Sequence, residues 1–199
     1  MIKEDEVCMK KKDFSIENSI DLNEEYQSVV DRYYSRKFCL NVCEPGDDYS
    51  VLIHSNGVCV ISLAPSHNIV KSKLSIDSVN FQVCEDINRL NNKVSGKLKH
   101  GAQKVKPISD LLIVKLSDGS EKFVHCAIAG KLLEVNEKLI DDPSIMIREP
   151  DDVGYIAIIL PDLGTTQVYR DNLLSIEQYE NAIKHGSNHS VDHLKSLTN

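Results

Sequence analysis

Tryptophan is absent from this chain, and aromatic residues make up only 6% of its 199 positions. A core of such composition is small and aliphatic, drawn from an apolar fraction of 41%. No apolar run approaches the roughly 18 residues of a membrane-spanning helix, so none is expected. The opening MIKEDEVCMKKKDF is charged and lacks the apolar centre of a signal peptide, so an intracellular location, cytosolic or nuclear, is expected. The six cysteines include no CxxC pair. Cys39 and Cys43 are four apart, but no matching His/Cys pair follows at finger-like spacing, and no metal site is expected. Cys59 and Cys126 fall inside apolar strand patterns and are expected to be small buried hydrophobes. GxSxG, P-loop, HExxH and GxGxxG motifs are all missing, so the chain is not expected to be an enzyme.

Charge is present and unevenly placed. The net charge is −7, which disfavours bulk attraction to duplex nucleic acid. Yet residues 87–109 contain no Asp or Glu and six cations: Arg89, Lys93, Lys97, Lys99, Lys104 and Lys106. A solvated loop would carry such lysines for solubility. An acid-free block in an acidic chain also makes a local positive field that steers acidic partners. The segment has no aromatic residue on which bases could stack, so an anionic protein surface is the favoured partner.

Residues 1–25 and 187–199 lack hydrophobic period and are expected to be disordered tails around one domain, 26–186. Within it, strands dominate. Segments 49–54 and 58–64 flank Ser55-Asn56-Gly57, and 111–117 and 121–127 flank Asp118-Gly119, predicting two hairpins, the second with a type I′ turn. Further strands are expected at 78–83, 130–136 and 155–160, the last apolar throughout and therefore central. A short helical turn is expected at 136–141 and helices at 24–35 and 175–185. The last has a capping box, Ser175 with Gln178, and a closing Gly186. Gly96-Lys97-Leu98 recurs as Gly130-Lys131-Leu132, each copy predicted to be a turn entering a strand, which suggests internal two-fold symmetry. The expected class is mainly β, a sandwich or barrel with short terminal helices.

Two other constellations are weak. Ser190 with His189 and Asp192 has the composition of a triad but no scaffold to fix it. His185, His189 and His193 would form a metal-binding stripe only on a continuous helix, which Gly186, Ser187 and Asn188 interrupt.

Asp31-Arg32-Tyr33-Tyr34, His54-Ser55-Asn56, Cys59-Val60-Ile61-Ser62-Leu63-Ala64, Asn92-Lys93-Val94-Ser95-Gly96-Lys97, Gly101-Ala102-Gln103, Leu133-Glu134-Val135-Asn136-Glu137, Pro143-Ser144-Ile145 and Gly154-Tyr155-Ile156-Ala157 occur in order along the chain. Together they resemble the Abitram (Simiate) family over roughly residues 28–185. The resemblance implies a biotinyl/lipoyl-like, H-protein-like β-sandwich. It implies a non-enzymatic protein that binds actin as monomer and filament, affects polymerisation and cell protrusions, and has a nuclear role in transcription regulation. Nuclear speckle or transcription components are implied as further partners. The implied locations are nuclear speckles and cytoplasm, including lamellipodia and growth cones. H proteins carry a lipoyl group on a hairpin lysine. Counted back from Gly130, that position falls on Gly119, so a lipoyl arm is not expected. A lipoyl carrier modified at Lys122 and an RNA or chromatin adaptor are the alternatives.

Overall fold

The structure, a computed structural model, describes residues 26–186. The expected tails, with His189, Ser190, Asp192 and His193, lie outside the described residues. The chain divides into one unit ending at Arg32 and another starting at Tyr33. In the first, Ser28 begins the short helix α1 (Val29–Tyr33): its Oγ accepts the Asp31 N–H at 3.1 Å and donates to Asp31 Oδ2 at 2.7 Å.

The expected helix 24–35 is thus cut to five residues, because Tyr34 opens a strand. β1 (Tyr34–Cys39) pairs along its whole length with β2 (Tyr49–His54). A one-turn helix is marginal by itself, and a complete strand ladder outweighs it. β3 (Cys59–Leu63), β4 (Ile76–Asn80), β5 (Lys104–Val105), β6 (Asp110–Leu116), β7 (Glu121–His125), β8 (Gly130–Val135) and β9 (Ala157–Leu160) complete the strands. They form a six-stranded sheet, β1-β2-β3-β9-β8-β5, and a three-stranded sheet, β4-β6-β7, antiparallel throughout. The expected mainly β class holds, and β9 is central as its apolar run requires.

Tyr49, Val51 and Ile53 of β2 and Cys59, Ile61 and Leu63 of β3 share one core with Val114, Leu116 and Val124 of the smaller sheet. Cys59 and Cys126 are fully buried in it, and burial pushes both thiols up to about 12. On the opposite face, the edge strand β1 packs against α6 (Ile176–His185), whose Tyr179 stacks on Phe38 with ring centroids 4.0 Å apart. α6 starts at the expected capping box and ends at Gly186 in the left-handed region. Four shorter helices also form: α2 (Asn68–Ser72), α3 (Lys138–Asp141), α4 (Ile145–Arg148) and α5 (Thr165–Asn172). Of these only α3 was expected. Pieces of four to eight residues are too short to show a helical apolar period.

Both expected hairpins form, with a turn other than type I′ in the second. Gly119 N–H donates to Leu116 O at 2.9 Å, and Leu116 N–H to Ser120 O at 2.9 Å. Gly119 alone takes a positive φ, +83°, while Asp118 does not. This is a type I turn closed by a left-handed glycine, a three-residue loop. Asp118 Oδ1 accepts the Ser120 N–H at 2.9 Å, and that side-chain bond favours ordinary φ at Asp118. Ser55-Asn56-Gly57 repeats the arrangement, with Gly57 N–H on His54 O and Asn56 Oδ1 accepting from Val58.

The Gly-Lys-Leu echo is not a repeated turn-and-strand unit. Gly130-Lys131-Leu132 lies in β8, but Gly96-Lys97-Leu98 lies in a loop closed by the bridge between Ser95 and His100. Gly96 and Lys99 there both have positive φ, which interrupts extended backbone.

Candidate functional site

Residues 87–106 form a built loop rather than a loose one. Arg89 anchors its start: Nε donates to Asp110 O at 2.8 Å and Nη1 to Gln103 Oε1 at 2.7 Å. Asn92 anchors its middle, donating from Nδ2 to Leu132 O at 2.7 Å and accepting the Gln103 N–H at 2.8 Å. Gly101 closes it, since a Cβ there would sit 2.2 Å from Lys93 O.

Arg89 therefore leaves the set of expected partner-binding residues. It is 6% exposed, and its guanidinium is committed to holding the loop. Lys93, Lys97, Lys104 and Lys106 are exposed and Lys99 is partly so. Among the described residues none of these lysines is ion-paired.

Lys97 and Lys99 line a cleft of about 500 Å³. Its other walls are the β2–β3 hairpin tip, the end of β9 with the loop that follows, and α5. Two cations from outside the expected segment line it as well. Lys131 of β8 stands directly opposite Lys104 of β5 in the ladder, and its Nζ donates to Leu98 O at 2.9 Å. Arg170 of α5 donates to His54 O at 2.7 Å and to Ser35 Oγ at 3.2 Å. The two Gly-Lys-Leu copies thus meet here, lysine of one against leucine carbonyl of the other. Leu98 and Leu163, both exposed, line the same cleft with the carboxylate of Asp162. Arg170 and Leu163 carried no local signal in the sequence, and Lys131 was marked only by the Gly-Lys-Leu echo.

The second expected locus, the β6–β7 hairpin, ends in Asp118-Gly119. Lys115 and Lys122 lie on its arms, paired with Glu121 and Val114. The residues present do not fit a lysine-borne arm at the tip.

A buried polar cluster went unnoticed in the sequence. Asp47 and Tyr49 from the start of β2, His67 before α2 and His125 at the end of β7 meet between the two sheets. Tyr49 OH donates to Asp47 Oδ1 at 2.6 Å and accepts the His125 N–H at 2.7 Å. His125 Nδ1 is 2.8 Å from Asp47 Oδ2, and its Nε2 is 3.3 Å from Asp110 Oδ1. His67 Nδ1 accepts the Ile69 N–H at 3.0 Å, which puts the ring proton on Nε2, 3.2 Å from Asp47 Oδ1. That contact has the distance of a hydrogen bond without its angle. Burial would raise the Asp47 pKa, but hydrogen bonds from His125 and Tyr49, the close approach of His67 Nε2 and the His125 charge hold it well below the carboxylate range. The paired acids ahead of an apolar strand, Asp47-Asp48, were the only local hint. Among the described residues no cluster of His, Cys, Asp and Glu has the arrangement of a metal site.

No protein-family model matches the chain. It is similar to Protein Abitram of Homo sapiens, 40% identical over 161 residues covering 77% of this chain and 85% of that protein. Protein Abitram of Bos taurus is 39% identical over 157 residues, covering 78% and 84%. Protein Abitram of Dictyostelium discoideum is 31% identical over 157 residues, covering 77% and 86%. Among solved structures, a glycine cleavage system H protein from Mycobacterium marinum aligns with a TM-score of 0.47 at 15% identity, over 76% of this chain and 97% of that one.

Proposed function

The chain belongs to the Abitram family, and from that premise we propose that it is a non-enzymatic binding protein whose partner is actin, as monomer and as filament. Through that contact it would regulate polymerisation and cell protrusions, with a second role in transcription regulation in the nucleus. It would reside in nuclear speckles and in the cytoplasm, lamellipodia and growth cones included.

One observation carries the reading: five lysines between positions 93 and 106 stand on a hydrogen-bonded loop with no carboxylate pairing them among the described residues. Surface lysines contribute little to folding when unpaired. Held in place, they are a field for an acidic protein surface. Support also comes from their hydrogen-bonded framework, Arg89, Asn92 and Gln103, which fixes the loop before any partner arrives.

The test is co-sedimentation with filamentous actin at about 0.1 M salt, where the screening length is about 10 Å. Lys97→Glu, Lys99→Glu and Lys104→Glu together should reduce the bound fraction about tenfold or more, as reversal of several interface charges does. Binding unchanged in the triple variant would remove this segment from the contact.

A further inference from the structure

We infer that the cleft between the 95–100 loop and α5 is a docking site for an acidic peptide segment bearing an aliphatic side chain. This rests on the reading above only in taking the partner to be acidic, not in taking it to be actin.

Charge is the first argument. Among the described residues, Lys97, Lys99, Lys131 and Arg170 line the cleft against the single acidic residue Asp162. In a chain of net charge −7 this is a local reversal of sign. Lys104, outside the lining, stands directly opposite Lys131 on the neighbouring strand. Like charges directly opposite in a ladder destabilise a sheet. An anion in the cleft offsets that repulsion from the side of Lys131, the member of the pair that lines it.

Hydrophobicity is the second argument, and it separates a peptide from a simple anion. Leu98 and Leu163 are both exposed, Leu163 completely. They line the same cleft as the cations. A phosphate or a free carboxylate could satisfy the lysines but would leave both leucines in water. A segment that alternates carboxylates with a leucine-sized side chain satisfies both. Nucleic acid fits less well, because among the described residues no aromatic ring lines the cleft to stack on a base.

Preorganisation is the third. The lysine-bearing loop is tied to β8 through Lys131 Nζ on Leu98 O. Across the cleft, Arg170 is tied to His54 O, and Thr166 Oγ1 donates to Gly57 O at 3.3 Å. Both walls are set before binding, so little ordering is needed when a peptide enters.

The test is an NMR titration of the full chain with an acetylated DELDDL peptide at about 50 mM salt, where surface charges still act over several ångströms. Saturable shifts at Lys97, Leu98, Lys131 and Gln167 amides are expected. Lys97→Glu with Lys99→Glu should weaken binding about tenfold or more. Leu163→Ala, at a fully exposed position, should weaken it about threefold without changing the melting temperature. Two probes separate the sources of the signal: a DEDDED peptide and inorganic pyrophosphate. Either one binding as tightly as DELDDL would make the cleft a plain anion site and overturn the peptide assignment. Absence of saturable shifts in the cleft would overturn the site altogether. Peptide binding without actin co-sedimentation would leave this inference standing and remove actin as the partner.

Discussion

Asp47 is 3% exposed, and a carboxylate so placed is stable only while its partners supply protons. Tyr49 does so throughout the neutral range, since burial and the Asp47 charge keep its phenol well above the usual 10. His125 supplies a second proton. Burial by itself would lower its pKa, but the hydrogen bond and charge of Asp47, with the charges of Asp110 and Glu44, raise it above the usual 6.5. A pKa raised on folding means a contribution fully present below the unfolded value of about 6.5 and lost as pH climbs through the folded one. Asp47 has the opposite sense: its lowered pKa gives a contribution complete above about 3.9 and lost in acid. The cluster, which joins β2 of one sheet to β7 of the other, is therefore strongest between about pH 4 and about pH 6.5. Urea unfolding should show His125→Asn less stable than the wild type by more at about pH 6 than at about pH 9. Asp47→Ala should cost about 3–5 kcal/mol, the scale for breaking a buried ion pair. An equal His125→Asn deficit at both pH values would mean that this imidazole is uncharged in the folded protein.

At the level of elements, the hairpins were legible because Asn-Gly and Asp-Gly are local signals that need no tertiary partner. α6 was legible for the same reason: its capping box and its glycine stop lie within one short stretch. β1 was not. Its sequence, YSRKFC, has no apolar run, and what makes it a strand is six residues of pairing with β2. The cationic loop could be seen as a charge run, but the burial of Arg89 could not, because Asp110 O and Gln103 reach it only after folding. Lys131, Arg170 and Leu163 were likewise invisible as a site, being assembled from β8, α5 and the loop between β9 and α5. The type I′ expectation failed on one bond, Asp118 Oδ1 to Ser120 N–H, which holds Asp118 at ordinary φ. That hairpin also bears a functional prediction. A carrier lysine has to project from a turn to reach several enzyme sites, whereas Lys122 sits in the ladder opposite Val114. Co-expression with a lipoyl ligase should leave the intact mass of the protein unchanged. A lipoyl-sized increment on Lys122 would restore the carrier reading.

For the whole molecule, the sign of the charge depends on the distance from which it is viewed. With the four cations and one carboxylate that line the cleft set aside, 19 cations remain against 29 carboxylates, a net of −10 for the rest of the chain. An acidic partner far away meets repulsion, and the same partner at the cleft meets four cations and one carboxylate. Two unit charges 10 Å apart in water interact by about 0.4 kcal/mol, so a net excess of about ten distant charges outweighs a few near ones unless salt screens them. Salt does so selectively, because the screening length is about 30 Å at 0.01 M and about 8 Å at 0.15 M. Near 0.01 M the acidic bulk is felt and opposes docking. Near 0.15 M only the local cations are felt. Well above that, these too are screened, and the contact of Leu98 and Leu163 is what remains. Affinity for the DELDDL peptide should therefore pass through a maximum as salt is raised from about 10 mM to about 1 M, rather than fall from the start. Isothermal titration at five or six salt concentrations of about that range reads this directly. A steady fall from the lowest salt upward would mean that the local cations dominate at every distance, and the acidic remainder of the chain would then have no part in selecting how a partner approaches.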